Sequence, residues 1–404
     1  MAIEGIDAFV LLLIAATIVT VAARWVGLSY TLSLLLLGLA IGASPVGLLP
    51  ALSSEIILLL FLPPLLFEAA FVLDLRLLWD VRVGVLALAV PGVIVAMVVG
   101  GALVHWSLGL PWAVALLFGA MIAATDPVAV LATFRQLGID QRLSILIEGE
   151  SLLNDGIALV LLVTLVAAVD GEFQLSSAIG TVLLSVIGGT VIGLGCGLVG
   201  HRLIASVDEH LTEMTVSVAT AYGAFLVADT LHLSGVLATI VAAMTLGYLG
   251  RKRGWVYSEG SEQVLIDLWA FLAFIANAPL FLLMGLTVRT ADVQEHPQAV
   301  LVGIATALTG RAVVAYGIGS LLNQVGVPLK WAERHVLFWG GLRGGVALAA
   351  ALSLPLGFPH RGQLLAMTYG AVLFTLLAQG LTISPLVQRL GLLNSADTPE
   401  IVQH

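Results

Sequence analysis

This sequence predicts an all-α polytopic membrane protein of about 13 transmembrane helices, built from inverted repeats with discontinuous helices. Three observations predict it. Only 10% of the 404 residues are charged and 60% are hydrophobic, whereas a soluble domain carries about 25% charged residues. Apolar runs recur along the whole chain, each close to the roughly 20 residues that cross a hydrocarbon core about 30 Å thick. The basic residues are distributed very unevenly between alternate loops.

The spans fall near 6–26, 29–43, 52–73, 82–107, 112–135, 143–169, 175–200, 211–231, 234–250, 262–288, 298–323, 330–355 and 362–388. The second and ninth are short and the seventh is long enough to tilt. The first follows Glu4 and Asp7 rather than a basic stretch, and Arg24 comes after it, so it reads as a span and not a signal peptide. The tail after Arg389 is about fifteen residues, too short for a regulatory domain. Of the sixteen Lys and Arg residues, twelve fall in loops after odd-numbered spans and two, Arg289 and Arg361, in loops after even-numbered spans. The odd loops are therefore expected in the cytoplasm, with the N-terminus outside and the C-terminus inside. The absence of a transit peptide suits a bacterial inner (cell) membrane.

Tyr30 to Gly42 in the second span resembles Ser234 to Gly250 in the ninth. A seven-span offset inverts one copy relative to the other, and inverted repeats are the architecture of secondary transporters. On the same offset the fifth span pairs with the twelfth. Both are interrupted, by Thr125-Asp126-Pro127 and by Gly340-Gly341-Leu342-Arg343-Gly344-Gly345.

Ionisable residues inside a bilayer are costly and call for a function or a partner. Asp126 precedes Pro127, whose ring removes a helical hydrogen bond and frees carbonyls such as that of Thr125. A carboxylate beside freed carbonyls suits a hard monovalent cation; a kink with a capping aspartate is the plainer reading. In the sixth span Ser151, Asn154 and Asp155 share one helical face. Glu150 lies round from Asp155, and Arg343, alone among glycines in mid-span, is its expected partner: a Glu150–Arg343 ion pair, structural rather than transporting. Glu68 follows Pro63-Pro64 in the third span and is a further candidate ligand. Arg311, Asp229 and Asp267 read as structural pairs or interface anchors, and Glu148 and Glu262 as solvated residues near helix ends.

Other chemistries lack machinery in the sequence. A net charge of −9 argues against a nucleic-acid partner. The single cysteine, Cys196, cannot form an intramolecular disulfide or a cysteine cage. The eight histidines show no metal-ligand spacing. There is no phosphate-binding Gly-rich loop, and Glu150-Ser151 lacks the frame of a serine hydrolase. The reading is a secondary active transporter rather than an enzyme, with no cofactor.

The segments Ala124-Thr125-Asp126-Pro127-Val128-Ala129-Val130-Leu131, Gly149-Glu150-Ser151-Leu152-Leu153-Asn154-Asp155-Gly156 and Gly340-Gly341-Leu342-Arg343-Gly344-Gly345-Val346-Ala347 closely resemble the sodium/proton exchangers of monovalent cation–proton antiporter family 1. Phe61-Leu62-Pro63-Pro64-Leu65-Leu66-Phe67-Glu68 resembles the family's third-span segment. The resemblance runs over essentially the whole chain, in order and spacing. It implies a homodimer with a dimerisation part, here about 1–80 and 175–290, and a core transport part, about 82–170 and 298–390, in which spans five and twelve break and cross. It implies that Asp155 binds the ion and exchanges the proton, with Ser151, Glu68 and the Thr125 backbone as further Na⁺ ligands. Asp126 and Asn154 are similar to the polar pair that stabilises the crossing, and Glu150 and Arg343 to the family's ion pair. Distant electrogenic relatives carry two adjacent aspartates and a core lysine. Here Asn154 stands in the first aspartate's place, and the only lysines, Lys252 and Lys330, fall in loops. The expectation is electroneutral exchange of Na⁺ (or Li⁺) for H⁺ by alternating access, serving pH and salt homeostasis. K⁺/H⁺ antiport, a proton- or sodium-coupled organic anion carrier and a cation channel or membrane scaffold are the competing readings.

Overall fold

Long apolar stretches in a medium without water must satisfy their backbone internally, which leaves helices as the solution for a chain of this composition. The structure is a computed structural model that describes residues 13–15, 17–19, 21, 30–42, 54–169, 175–207, 209–252, 261–287 and 295–392. Among these residues there is no strand. In chain order the helices are α1 (Tyr30–Gly42), α2 (Ser54–Val72), α3 (Leu75–Leu108), α4 (Trp112–Ala123), α5 (Val128–Leu137), α6 (Gln141–Val169), α7 (Leu175–Ile204), α8 (His210–Thr230), α9 (Gly235–Lys252) and α10 (Ser261–Thr287). They continue with α11 (Pro297–Ala312), a π-helical stretch at Val313–Ile318, and α12 (Gly319–Gln324). The rest are α13 (Trp331–Trp339), α14 (Gly345–Leu352), α15 (Arg361–Phe374), a second π stretch at Thr375–Gln379, and α16 (Gly380–Arg389). Each expected span from the second to the thirteenth has a helical counterpart. The first, 6–26, lies mostly outside the described residues.

One boundary differs from expectation in a way that matters. The fourth span begins at Leu75, not near residue 82, so Arg76 and Arg82 ride on the first turns of α3 instead of in a loop. Asp74 starts the helix by accepting from the backbone N–H groups of Arg76 and Leu77, at 2.8 and 3.4 Å. At 34 residues α3 is about 50 Å long, well beyond the hydrocarbon thickness. Exposed Trp79 near one end and exposed Trp106 near the other mark the two interfaces. Between them Val83, Leu86, Val90, Ile94 and Val98 form an exposed stripe at helical spacing, the face that lipid covers.

The helices pack as two groups. In one, α1 and α2 lie against α10, and α9 packs between α2, α7 and α8. In the other, α3 packs on α4, α6 and α11, and α11 on α15. The groups meet where α14 touches α2 and α10, and where α6 touches α7 and α9.

Helix α2 runs straight through Pro63 and Pro64. Pro64 has no N–H for the carbonyl of Leu60, one turn earlier. The Tyr222 hydroxyl of α8 takes its place, donating to that carbonyl at 3.2 Å. At the other end of α2, Arg251 of α9 donates to the carbonyls of Phe71 (3.0 Å) and Leu73 (2.8 Å), satisfying acceptors that a helix C-terminus leaves open.

Candidate ion-binding site

Two broken helices meet at the centre of the second group. α4 ends at Ala123 and α5 resumes at Val128; α13 ends at Trp339 and α14 starts at Gly345. Ala124 is extended, with φ −55° and ψ 133°. The two breaks touch directly: the Asp126 N–H donates to the Leu342 carbonyl at 2.8 Å. Both breaks leave carbonyls and N–H groups without helical partners inside a membrane protein. The neighbouring side chains answer that need.

Arg343 answers much of it. Its guanidinium donates to the carbonyls of Ala123 (2.9 Å), Ala124 (3.0 Å) and Ala307 (3.0 Å). Its backbone N–H donates to the Thr375 hydroxyl in the second π stretch at 3.2 Å. π turns recur at functional sites because they open the helical ladder locally. Asn154 serves the same break from α6, donating to the Ala123 carbonyl at 3.0 Å and to the Thr125 hydroxyl at 3.4 Å. Ser151 donates a short hydrogen bond to the Thr125 carbonyl.

The expected Glu150–Arg343 ion pair is not formed. Glu150 is instead paired with Arg311, which donates to its two carboxylate oxygens at 2.7 and 2.9 Å. The Arg311 Nε donates to the Leu337 carbonyl at 2.8 Å. The physical reason is the break itself. Arg343 finds neutral carbonyls released by the interrupted helix, so it does not need a carboxylate. Arg311, on α11, meets Glu150 in the two-pronged geometry a guanidinium favours. Glu150 also accepts from Asn154 at 3.2 Å.

A cavity of about 160 Å³ lies beside the crossing, lined by Glu68, Thr125, Asp126, Ser151 and Asp155 among others. Asp155 is 8% exposed, and its Oδ1 has no hydrogen-bond partner among the described residues. The Asp126 carboxylate accepts from the Val128 N–H at 3.0 Å, capping α5, and lies against Gly344, where a Cβ would sit within 2.6 Å of its carboxyl carbon. Of the six residues expected at the ion site, Glu68, Thr125, Asp126, Ser151 and Asp155 line the cavity and Asn154 does not. It holds the broken helix from behind, and it makes no hydrogen bond to Asp126 among the described residues.

Val72, Arg135 and Glu148 also line the cavity. Glu148 was expected to be solvated at a helix end; it is a half-buried wall residue, because α6 begins seven residues earlier at Gln141. Next to Asp155, Gly156 packs closely against α9. A Cβ on Gly156 would come within 2.6 Å of Leu237 and 3.3 Å of Ile240 on α9. A second cavity of about 620 Å³ is lined by Leu62, Leu159, Phe225 and Val236 among others. Asp229 is exposed at its rim, and Asp267 is exposed and accepts from Gln263 at 2.9 Å, so neither forms an ion pair among the described residues. Glu262 lies 3.8 Å from Arg251.

Two features escaped the sequence reading. The Arg311–Glu150 partnership has no local signature, since the two residues lie 161 positions apart. Asn277 of α10 also lines the cavity; its only signal was a polar amide inside an apolar run.

Comparison with known proteins agrees with this architecture. The family model described as "Sodium/hydrogen exchanger, transmembrane" matches residues 10–389. The chain is 36% identical over 399 residues to the Na⁺/H⁺ antiporter ApNhaP of Aphanothece halophytica, an alignment covering 96% of this chain and 76% of that protein. It is 35% identical over 399 residues to the Na⁺/H⁺ antiporter NhaH of Halobacillus aidingensis, covering 95% and 97%. Among solved structures, the sodium proton antiporter MjNhaP1 of Methanocaldococcus jannaschii superposes with a TM-score of 0.81 at 20% identity, over 96% of this chain and 98% of that one, which establishes the shared fold. The match to the family model over nearly the whole chain, on a frame of two crossing broken helices, makes this protein a member of the sodium/hydrogen exchanger family.

Proposed function

We propose that this protein exchanges Na⁺ for H⁺ across the cell membrane, with Asp155 carrying either ion but not both. One observation carries the reading: a buried carboxylate with an unbonded oxygen faces a cavity whose walls supply further oxygens from Glu68, Thr125, Asp126 and Ser151. A small cation needs several oxygens and a compensating negative charge; a proton needs only the carboxylate. Burial penalises the empty ionised site, and either ion relieves that penalty. Only loaded states then cross readily, which couples the two fluxes.

Na⁺ is the substrate, held by Asp155, Ser151, Glu68 and the Thr125 carbonyl. Asp126 caps α5 and Asn154 holds the break, so both fix ligand positions. With the odd-numbered loops in the cytoplasm, the charged mouth at Arg135 and Glu148 faces inward, and the Gly156 contact with Leu237 and Ile240 closes the outer path. The group containing α3 to α6 and α11 to α16 is the transport core. The group containing α1, α2 and α7 to α10 is the fixed part and forms the interface of a homodimer. Sliding of one against the other opens the site to each side in turn.

Asn154 and the absence of a core lysine leave one titrating carrier group, which supports one proton per cation, hence electroneutral exchange. The role in the cell is pH and salt homeostasis. K⁺/H⁺ exchange through the same oxygens is the second reading, favoured if cations compete in the order of ligand fit. The test is a pH-sensitive dye in sealed vesicles challenged with Na⁺, Li⁺ and K⁺. Na⁺-driven proton movement, lost in Asp155→Asn and unchanged when membrane potential is clamped, is the expected result. Wild-type exchange in Asp155→Asn sinks the assignment, and a current proportional to exchange sinks electroneutrality.

A further inference from the structure

We propose that Asn277 is a cation ligand supplied by α10, and that it sets the preference among monovalent cations. The inference deepens the antiport reading and rests on it. The cavity at Asp155 is lined by the Asn277 side chain. The Asn277 Oδ1 is buried and has no hydrogen-bond partner among the described residues. A buried amide oxygen with no donor is rare in proteins unless water or an ion occupies the space in front of it. Asp155 Oδ1 is in the same condition in the same cavity. Two oxygens without hydrogen-bond partners among the described residues, on two side chains that line one small space, are matched by a cation, which seeks only acceptors.

The local geometry fixes where the oxygen sits. Gly344 and Gly345 are consecutive. The space a Cβ would fill on Gly344 is taken by the Asp126 carboxylate, and on Gly345 by Asn277 Oδ1. The amide oxygen and the carboxylate are thus laid over adjacent glycines at the start of α14. On its other side, Asn277 interacts with the Tyr30 hydroxyl of α1, and the Tyr30 ring packs on Phe274 one turn earlier in α10, with centroids 5.3 Å apart. The side chain is held by α1, so its oxygen is presented at a fixed place. A neutral oxygen adds coordination without adding a second titrating group. It therefore changes which cation fits, and leaves the proton count untouched.

The test compares Asn277→Leu, which keeps the volume and removes the oxygen, with Asn277→Asp, which keeps an oxygen. Each is assayed in sealed vesicles for KM and kcat with Na⁺ and Li⁺, and as purified protein for the rise in unfolding temperature on adding NaCl. Asn277→Leu is expected to raise the Na⁺ KM about tenfold, the scale seen for losing one group that supports a metal site. Its kcat should stay within about twofold, and most of the Na⁺-dependent thermal shift should vanish. Asn277→Asp is expected to keep Na⁺ binding and to change the Li⁺/Na⁺ selectivity ratio. The proposal is overturned if the leucine variant binds Na⁺ as the wild type does, or if the aspartate variant is as impaired as the leucine one, which marks a packing role. Should the leucine variant not fold, an unaltered selectivity ratio in Asn277→Asp overturns it alone. A wild-type protein with no Na⁺-driven pH change defeats the antiport reading itself, a different outcome from active wild type beside indifferent Asn277 variants.

Discussion

Glu150 and Arg311 are joined by two parallel hydrogen bonds of 2.7 and 2.9 Å, with Arg311 6% and Glu150 1% exposed. Each is the other's charged partner: removing one leaves a charge in a medium that solvates it poorly, at a cost of about 3–5 kcal/mol. Glu150→Gln and Arg311→Met should each lower expression and unfolding temperature sharply. Combined, they should show a coupling free energy above about 1 kcal/mol, whereas Glu150→Gln with Arg343→Met should be nearly additive. Thermal unfolding of the three single and two double variants against wild type measures both cycles. Stronger coupling to Arg343 would reverse the assignment.

Arg343 holds the Ala123 and Ala124 carbonyls at the α4 break and the Ala307 carbonyl of α11. Arg343→Met should destabilise the crossing by about 1–3 kcal/mol for each acceptor left dry. Backbone amides of 124–126 and 340–345 should then exchange hydrogen faster than those of α7. Equal protection in both regions would show that water or another side chain replaces the guanidinium.

Competition at one carboxylate dictates the response to pH. As pH falls, protons occupy Asp155 and Na⁺ must displace them. The apparent KM for Na⁺ should therefore rise, approaching about tenfold per pH unit on the acid side by mass action. At high pH the KM should level off. Initial rates over a grid of Na⁺ concentration and pH test this; a KM independent of pH would separate the two ions onto different groups.

Gly344 has an ordinary extended backbone, with φ −136° and ψ −153°, so alanine is excluded by space alone. Its Cβ would press on the Asp126 carboxylate. Gly344→Ala should cost about 1–3 kcal/mol, the scale of overpacking, and reduce exchange at least tenfold. Gly357, with open space around it, is the control, and its alanine variant should transport normally. Full activity in Gly344→Ala would show that Asp126 is free to move aside.

Much of this was legible in the sequence because the bilayer makes polar residues conspicuous. Glu68, Asp126, Ser151 and Asp155 stood out as exceptions within apolar runs, and the structure gathers them round one cavity. The interruptions at Pro127 and at Gly340 to Gly345 marked the broken helices for local reasons that any window of sequence contains. Partner choice was not local. Whether a buried arginine takes a carboxylate or a set of carbonyls depends on which helix ends lie beside it in space, so Arg343 and Arg311 exchanged roles. Asn277 was overlooked because one neutral amide in a span costs little, and its significance comes from the cavity it faces.

Helix α2 is fastened twice, by Tyr222 at Leu60 and by Arg251 at Phe71 and Leu73. Glu68 sits between those fastenings, on a helix tied to α8 and α9, while Asp155 belongs to α6. An ion shared by these two side chains would act as a removable rivet between separate slabs of protein. Salt concentration would then tune the mechanical stiffness of the seam as well as the traffic through it.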